Sequence, residues 1–136
     1  MGPVRASAPF VFLCVLALAA CGGSHRVALP PCAGTGSPIH RPAALAAFPL
    51  PGGVIDSTRK DAAGNTVYIG VVPGTIDSAR DYYRRELPKR GYTLGEGDSE
   101  EDEAEADFSG HGASGHFKLN TVPFCKGALR LQVALR

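Results

Sequence analysis

Alternation of apolar and polar residues dominates the second half of the chain and predicts β-strands. It is clearest at the C-terminus, where Leu129, Leu131, Val133 and Leu135 lie at every second position. Because successive side chains of a strand point to opposite sides of a sheet, this pattern predicts one buried and one exposed face. The predicted strands comprise residues 54–60, 66–72, 92–97 and 103–108, a fifth strand that contains Phe117 and Leu119, and residues 128–136.

The first two strands are joined by turn-forming residues at 61–65, which predict a hairpin with a loop of about five residues. In the second strand Val67, Ile69 and Val71 lie at alternate positions. We therefore expect these three side chains to share the face that points toward the core.

One stretch has the period of a helix instead. Thr75 is suited to cap its N-terminus, and its apolar stripe consists of Ile76, Ala79, Tyr83 and Leu87. Two later residues bear on where this helix ends. Pro88 removes one helical hydrogen bond, which costs about 3 kcal/mol in a helix interior, and Gly91 suits the left-handed residue that follows many helices. We expect the helix to end at Leu87 or to have a distorted last turn.

The strand 103–108 has two unlike faces. Its odd-numbered residues from 103 to 107 are acidic, and its even-numbered residues from 104 to 108 are apolar. A glycine-rich turn over 110–115 is expected to pair it with the next strand. In the simplest register Phe108 lies opposite Phe117 and Asp107 lies opposite Lys118, and both cross-strand pairs are favourable.

The predicted elements follow the order β-β-α-β-β-β-β. One amphipathic helix can cover one face of an antiparallel sheet while the other face stays in water. The sequence therefore predicts an α+β fold, a small two-layer domain with one amphipathic helix on an antiparallel sheet, over residues 52–136.

The first 20 residues have the composition of a secretory signal. Arg5 is the only charged side chain, and an apolar run from Pro9 to Ala20 ends on small residues. This run is shorter than the roughly 20 residues that a membrane-spanning helix needs. It is therefore predicted to be a cleaved signal peptide over residues 1–20.

The four residues Leu18-Ala19-Ala20-Cys21 resemble the lipobox of bacterial lipoproteins. The resemblance implies cleavage before Cys21, diacylation of its thiol and acylation of the new amino terminus. Two or more acyl chains hold a protein on a membrane, whereas one gives only marginal binding. The alternative is an ordinary secretory protein that is cut near Cys21 and carries no lipid.

Residues 21–51 are predicted to be the lipidated N-terminus and a tether. Six prolines lie between residues 30 and 51, and they exclude a continuous helix or a central strand. We expect an extended spacer, with a helical turn over Ala43–Phe48.

Charge and cysteine content bear on which classes of function and which compartment the sequence supports. Removal of residues 1–20 from the 136-residue chain leaves 116 residues with 13 basic and 13 acidic side chains, which gives no support for nucleic-acid binding. Cys32 and Cys125 remain as a pair in an oxidising compartment, so a disulfide is favoured. Metal ligation or a reactive thiol is the alternative, although neither cysteine has a second Cys or a His at ligand spacing.

A second resemblance covers about half of the mature chain, from Val72 to Leu119. Its residues are Val72-Pro73-Gly74-Thr75, Arg80-Asp81-Tyr82-Tyr83-Arg84-Arg85-Glu86-Leu87-Pro88 and Arg90-Gly91-Tyr92-Thr93-Leu94. This segment resembles one that recurs in small secreted lipoproteins of actinobacteria. Most of those proteins have no assigned function, so the resemblance implies the class and no site.

Three local patterns point to possible chemistry, and each also has a simpler interpretation. Residues 110–115 match G-x-G-x-x-G, but a strand follows them, which favours a hairpin turn over dinucleotide binding. The acidic run 100–107 offers oxygen ligands for Ca²⁺ without an EF-hand loop, which favours a solvated strand face or a weak acidic docking face. His111, His116 and Asp107 are a candidate metal or proton-transfer site, although the two histidines are expected to point in different directions.

We therefore assign no catalytic, cofactor-binding or metal-ligating residue. The expected protein is an envelope lipoprotein, lipid-anchored at the cell membrane on its extracytoplasmic side, that acts as a non-enzymatic binding module for an envelope protein or glycan. The alternative is an envelope hydrolase or metal-dependent enzyme that uses His111, His116 and nearby carboxylates.

Overall fold

The computed structural model describes Gly2 and residues 27–136, so the predicted signal peptide, the lipobox and Cys21 lie outside the described residues. The elements in chain order are a 3₁₀ turn (Pro31–Ala33), α1 (Ala43–Ala46), β1 (Val54–Lys60), β2 (Thr66–Pro73), α2 (Ile76–Lys89), β3 (Thr93–Ser99), β4 (Glu103–Gly110), β5 (Ala113–Thr121) and β6 (Ala128–Leu135). The strands form one six-stranded antiparallel sheet in the order β1-β2-β6-β5-β4-β3.

This architecture confirms the predicted α+β class and the order of its strands and long helix. We call the sheet face that α2 covers the inner face. The predicted apolar stripe of β6 lies there, and so does the stripe of α2, and both belong to one continuous core. Burial of these two stripes in this shared core supplies a large part of the driving force for folding, at about 25 cal/mol per Å² of apolar surface.

The prediction that Val67, Ile69 and Val71 face the main core is wrong. Directly paired residues of antiparallel strands point to the same side of a sheet, and Tyr68 and Val72 of β2 pair with Val133 and Leu129 of the inner face. Residues 67–72 are apolar or glycine throughout, so the period of two does not select a face. Val71 instead packs on the outer face in a small second cluster with Cys125 and Ala128.

The predicted register of the β4–β5 hairpin is also wrong, by two residues. Phe108 pairs with Gly115, and Asp107 pairs with His116. The cause is the turn, which consists of His111 and Gly112 alone, with φ of 52° and 79°. Two successive left-handed residues give the turn whose twist matches a right-handed hairpin, so the strands continue farther toward it than predicted.

Helix α2 begins as expected and continues through Pro88 to Lys89, so it does not end at Leu87. The Thr75 hydroxyl accepts a hydrogen bond from the Ser78 N–H, and the Ser78 hydroxyl accepts one from the Thr75 N–H. At the other end Gly91 donates to the Pro88 carbonyl and Tyr92 donates to the Leu87 carbonyl. This is the closing pattern of a helix that stops at a left-handed glycine, and Gly91 has φ of 81°.

The described part of the predicted tether lies against the domain. Helix α1 confirms the expected helical turn, and beside it Leu45 and Phe48 are buried in the core. The Tyr92 hydroxyl donates to the Ala44 carbonyl over 2.8 Å, and Arg41 donates to the Phe48 carbonyl over 2.7 Å. Apolar residues between the prolines therefore make this segment part of the folded core.

The Phe48 ring is the centre of an aromatic cluster. Its centroid lies 5.5 to 5.9 Å from those of four other rings, which belong to Tyr83, Tyr92, Phe108 and Phe117. Tilted and edge-to-face pairs at such distances add stabilisation beyond the apolar area that they bury. Phe48 therefore joins the N-terminal segment, α2 and the sheet at one point.

The predicted disulfide is present between Cys32 and Cys125. It fixes the N-terminal segment to the loop between β5 and β6, beside the second apolar cluster. Closure of a loop of 93 residues is worth about 4 kcal/mol through the entropy of the unfolded chain.

Replacement of Phe48 tests whether the N-terminal segment is part of the core. We expect Phe48→Ala to lower the free energy of unfolding by about 3–5 kcal/mol, since it removes a buried ring and leaves a cavity. Urea unfolding followed by far-UV circular dichroism measures the change. The matched control is Phe124→Ala, which removes a fully exposed ring and is expected to change stability by less than about 0.5 kcal/mol. Equal effects of the two substitutions would show that the segment does not contribute to the core.

Candidate functional site

The structure separates the two histidines of the predicted site. The His111 ring packs against Tyr92 in a tilted arrangement, with centroids 4.7 Å apart, and its Nε2 lies 2.7 Å from the Arg90 carbonyl oxygen. His116 lies on the outer face of the sheet, with Nδ1 at 3.0 Å from Asp107 Oδ1 and Nε2 at 3.4 Å from Glu105 Oε2. His116 and Asp107 are therefore together, and His111 is elsewhere.

The outer face of β4 and β5 carries alternating charges, which we call the charged strip. Lys118 Nζ contacts Glu103 and also lies 3.8 Å from Glu105, while Arg136 lies 3.4 Å from Asp107. The acidic residues of the run that lie on β4 thus face positive or hydrogen-bonding groups from β5 and β6. The strip consists of Glu103, Glu105, Asp107, His116, Lys118 and Arg136.

These contacts shift the pKa values of several groups in the strip. Hydrogen bonds from Lys118 and Asn120 lower the pKa of Glu103, and the hydrogen bond with His116 lowers the pKa of Asp107. The same Glu103 contact raises the pKa of Lys118. The carboxylates of Glu103 and Asp107 thus already accept hydrogen bonds from neighbouring side chains. No group of three potential metal ligands occurs in residues 27–136.

A groove of about 310 Å³ opens between α2 and the β3–β4 edge of the sheet. This volume is at the lower end of the range for small-molecule sites. Its lining combines buried apolar and aromatic side chains with charged and hydroxyl groups that are half-buried or exposed. The lining residues are Arg80, Tyr83, Arg84, Leu94, Gly95, Gly97, Asp98, Ser99, Ala104, Glu105, Ala106 and Phe117.

The groove exists because small residues occupy the sheet beneath this part of the helix. Gly97 pairs with Ala106, and a Cβ at position 97 would lie 2.5 Å from the Glu105 carbonyl oxygen. The register between β3 and β4 shifts between Leu94 and Gly97, which marks a bulge at this edge. Larger side chains would fill the space between the two layers, as they do near β6.

The Tyr83 hydroxyl is the most unusual polar group near the groove. Tyr83 is only 1% exposed, and its oxygen is the one buried side-chain polar atom without a hydrogen-bond partner in residues 27–136. Burial raises the pKa of this phenol far above its ordinary value, so the hydroxyl is neutral and able to donate. A buried polar group without a partner costs about 1–3 kcal/mol. A ligand or water that accepted this hydrogen would recover that cost, but the buried oxygen becomes reachable only if neighbouring side chains move.

Two arginines of α2 give the rim an uneven charge. Arg80 is held by Asp77 and Asp81 at 3.3 and 3.4 Å. Arg84 lies one turn later on the same side of the helix and forms no ion pair with a residue in the described part of the chain. Arg84 is thus the available cation at the groove.

A second depression, of about 690 Å³, lies between residues 46–52 and another side of α2. It is larger, but it contains no buried polar atom that lacks a partner among residues 27–136. Of these two larger concavities, only the groove is lined by the residue whose buried hydroxyl lacks a partner. We therefore treat the groove as the candidate site.

Sequence reasoning identified Tyr83 as a core residue and missed its unpaired hydroxyl. It also missed the groove, whose walls come from glycines and alanines that carry no chemical signal of their own. A third missed feature is Phe124, which is fully exposed and has φ of 62°.

Removal of the Tyr83 hydroxyl tests whether it is unpaired. We expect Tyr83→Phe to raise the free energy of unfolding by up to about 1–3 kcal/mol, because it removes a buried donor that has no partner and no hydrogen bond is lost. Tyr92→Phe is the matched control, and it should cost about 0.5–1.5 kcal/mol because the bond to the Ala44 carbonyl is lost. Urea unfolding measures both. A Tyr83→Phe cost equal to that of the control would mean that the hydroxyl has a partner, such as a buried water.

The charged strip predicts how stability depends on pH. The folded state lowers the pKa of Glu103 and Asp107, so their contribution is complete above the unfolded-state pKa and is lost as pH falls through the folded-state pKa. We expect the urea midpoint of Glu103→Gln and Asp107→Asn proteins to fall less than that of the wild type between about pH 5 and pH 2. Glu96→Gln, in exposed β3, should follow the wild type. Parallel curves for all four proteins would contradict a stabilising role for the strip.

Comparisons with known proteins add no residue assignment to this geometry. No protein-family model matches the chain, and neither a curated protein nor a solved structure matches it. Among the helices of the described residues, none has the length and hydropathy needed to cross a membrane. The candidate site is therefore the groove between α2 and the β3–β4 edge, identified from its own shape and chemistry.

Proposed function

We propose that this chain is a lipid-anchored lipoprotein of the cell envelope and that its domain is a non-enzymatic binding module. The groove is the binding site in this proposal. The observation that carries it is that Tyr83, whose buried hydroxyl lacks a hydrogen-bond partner, lines a concave, partly apolar space. A site that keeps an unpaired donor is suited to recognise a polar atom of a ligand.

The groove chemistry defines a class of ligand. Leu94, Ala104 and Phe117 offer contact to an apolar group, and Tyr83 offers one hydrogen bond. Arg84 at the rim favours a negative charge, since guanidinium binds carboxylate and phosphate through paired hydrogen bonds. We therefore propose a small amphipathic anion as the ligand, such as a carboxylate with an alkyl or aryl group.

The anchor is supported by the signal-like residues 1–20 and by the lipobox at Cys21. The disulfide between Cys32 and Cys125 is consistent with an oxidising compartment, because such bonds persist outside the cytoplasm. On this proposal the protein lies at the cell membrane and faces away from the cytoplasm.

The alternative enzyme hypothesis has less support from the geometry. It needs His111 and His116 to act together, but His111 contacts Arg90 and Tyr92 at the end of α2 while His116 lies in the charged strip. Both ring nitrogens of His116 already face carboxylates. His116 is therefore occupied by contacts within the sheet. It lines neither the groove nor any other described concavity.

Ligand binding is tested with a panel of straight-chain alkanoates from butyrate to decanoate, together with benzoate and phenylacetate. We expect titrations followed by backbone amide NMR to shift the signals of Gly95, Gly97 and Ala104. Tyr83→Phe and Arg84→Gln should each weaken binding about tenfold, the effect of a lost charge-assisted hydrogen bond. Tyr82→Phe and Arg85→Gln are the matched controls.

Three results are informative. Shifts confined to groove residues, and weakened only by the two groove variants, support the binding module. Shifts spread over basic residues across the surface would indicate nonspecific binding of the anion and would contradict the proposed ligand class. The absence of a shift with every member of the panel would contradict it as well. Intact mass of the protein from its native membrane tests the anchor separately, through loss of residues 1–20 and a diacylglycerol-sized addition at Cys21.

A further inference from the structure

Phe124 is exposed and strained at the same time. Its side chain is 107% exposed relative to the reference state, and its φ is 62°. The left-handed region is unfavourable for side chains with a Cβ, and bulky residues are genuine outliers there. Neither burial nor backbone preference explains a phenylalanine at this position.

The local turn makes this choice of residue more unusual. Cys125 donates a hydrogen bond to the Val122 carbonyl over 3.1 Å, so residues 122–125 form a β-turn with Pro123 second and Phe124 third. With proline second and a left-handed third residue, this turn type favours glycine or asparagine in the third position. The sequence instead displays a large aromatic ring on a rigid corner.

This corner lies at the end of the domain where the described N-terminal chain begins. Cys125, the next residue, is bonded to Cys32. The loop also contacts the Pro73–Gly74 corner, because Gly74 donates to the Gly127 carbonyl over 2.9 Å. Val27 lies beside Gly52, which in turn adjoins Pro73. The β1–β2 loop and the His111–Gly112 turn are at the opposite end of the strands.

The length of chain before Val27 limits how far this end can be from an anchor. Cys21 precedes Val27 by six residues, which reach at most about 20 Å when fully extended. A lipid on Cys21 therefore holds the end of the domain that carries Phe124 near the membrane surface. This step rests on the proposed function, since it requires the lipid.

We infer that the loop Val122–Gly127 contacts the bilayer that holds the anchor, with the Phe124 ring in the interfacial region. Aromatic rings bind favourably there, and a lipid anchor together with a second membrane contact binds far more strongly than either alone.

The contact of this loop with the bilayer is mainly apolar. Lys126 is the exposed cation of the loop, but the neighbouring turn holds Glu100, Glu101 and Asp102, and the Asp102 carbonyl accepts from Thr121. Neutral phosphatidylcholine is therefore the expected surface, with weaker contact as anionic lipid is added.

The chain has no tryptophan, so a single substitution provides a clean probe. The full-length, lipidated Phe124→Trp protein is reconstituted in phosphatidylcholine vesicles, and its emission is compared with and without brominated lipid. The ring should lie about 5–10 Å into the interface, and we expect about twofold stronger quenching than in an Ala63→Trp control at the opposite end. Its emission should also move to shorter wavelength when vesicles are added.

Each other outcome overturns the inference in a recognisable way. If intact mass shows Cys21 without lipid, the anchor fails and the membrane contact fails with it. If Cys21 is lipidated but the two tryptophans are quenched equally, the anchor stands and only the loop contact is wrong. If the emission shift depends on protein concentration and not on vesicles, the ring docks on a second copy of the chain.

A second variant excludes misfolding as the explanation. Phe124→Asn suits the left-handed backbone, so the midpoint of thermal unfolding should stay the same or rise. An otherwise identical Ala63→Asn protein is the control. When the lipidated proteins are reconstituted on one side of vesicles, we expect Phe124→Asn to raise the protease sensitivity of residues 22–31 several-fold, because the domain is no longer held against the surface. Unchanged sensitivity would count against the contact.

Discussion

The fold depends on covering the inner face of a sheet that is too wide for its helix. Helix α2 has 14 residues, about 21 Å, and it packs against the half of the sheet formed by β3, β4 and β5. The Phe48 ring and Leu45 complete the cover from a segment that precedes the sheet in the chain. Because Phe48 contacts rings from both layers, the N-terminal segment is part of the same cooperative core. The disulfide at Cys32 then fixes a segment that is already anchored by burial, so the two restraints reinforce each other.

The parts of this fold that the sequence predicted are those with one strong and unambiguous period. Strand β6 and helix α2 each have a single apolar face, so their orientation follows from the pattern. Strand β2 is apolar on both faces, and only its pairing with β6 determines that Val72 and not Val71 joins the main core. The hairpin register depended on a two-residue turn, which the glycines of 110–115 did not reveal. Phe48 lies in a proline-rich segment. Prolines predict the local backbone conformation, but they do not predict whether the residues between them pack into the core.

The candidate site was harder to predict because it depends on the absence of large side chains and of a hydrogen-bond partner. Alternation placed Tyr83 in the core correctly, but whether its hydroxyl finds a partner depends on atoms from other elements. The groove arises where Gly97 and Ala106 pair beneath α2, and no single residue marks it. The acidic run shows the reverse case. Its residues look like a negative surface in sequence, yet the three that lie on β4 face cross-strand partners, since β5 and β6 bring Lys118 and Arg136 alongside.

The two edges of the sheet differ in a way that matters when many copies of a protein are crowded side by side. The β1 edge is partly capped, because Ile39 donates to the Ile55 carbonyl and Gly36 donates to the Asp56 carboxylate. Within residues 27–136 the β3 edge has no neighbouring strand, and most residues of β3 are exposed. An open edge invites pairing with another chain, but β3 carries a bulge and the acidic residues Glu96 and Asp98. Two such edges repel each other and are poorly matched in shape. Strand β3 thus discourages sheet-to-sheet aggregation at high local density while its glycines leave the groove open.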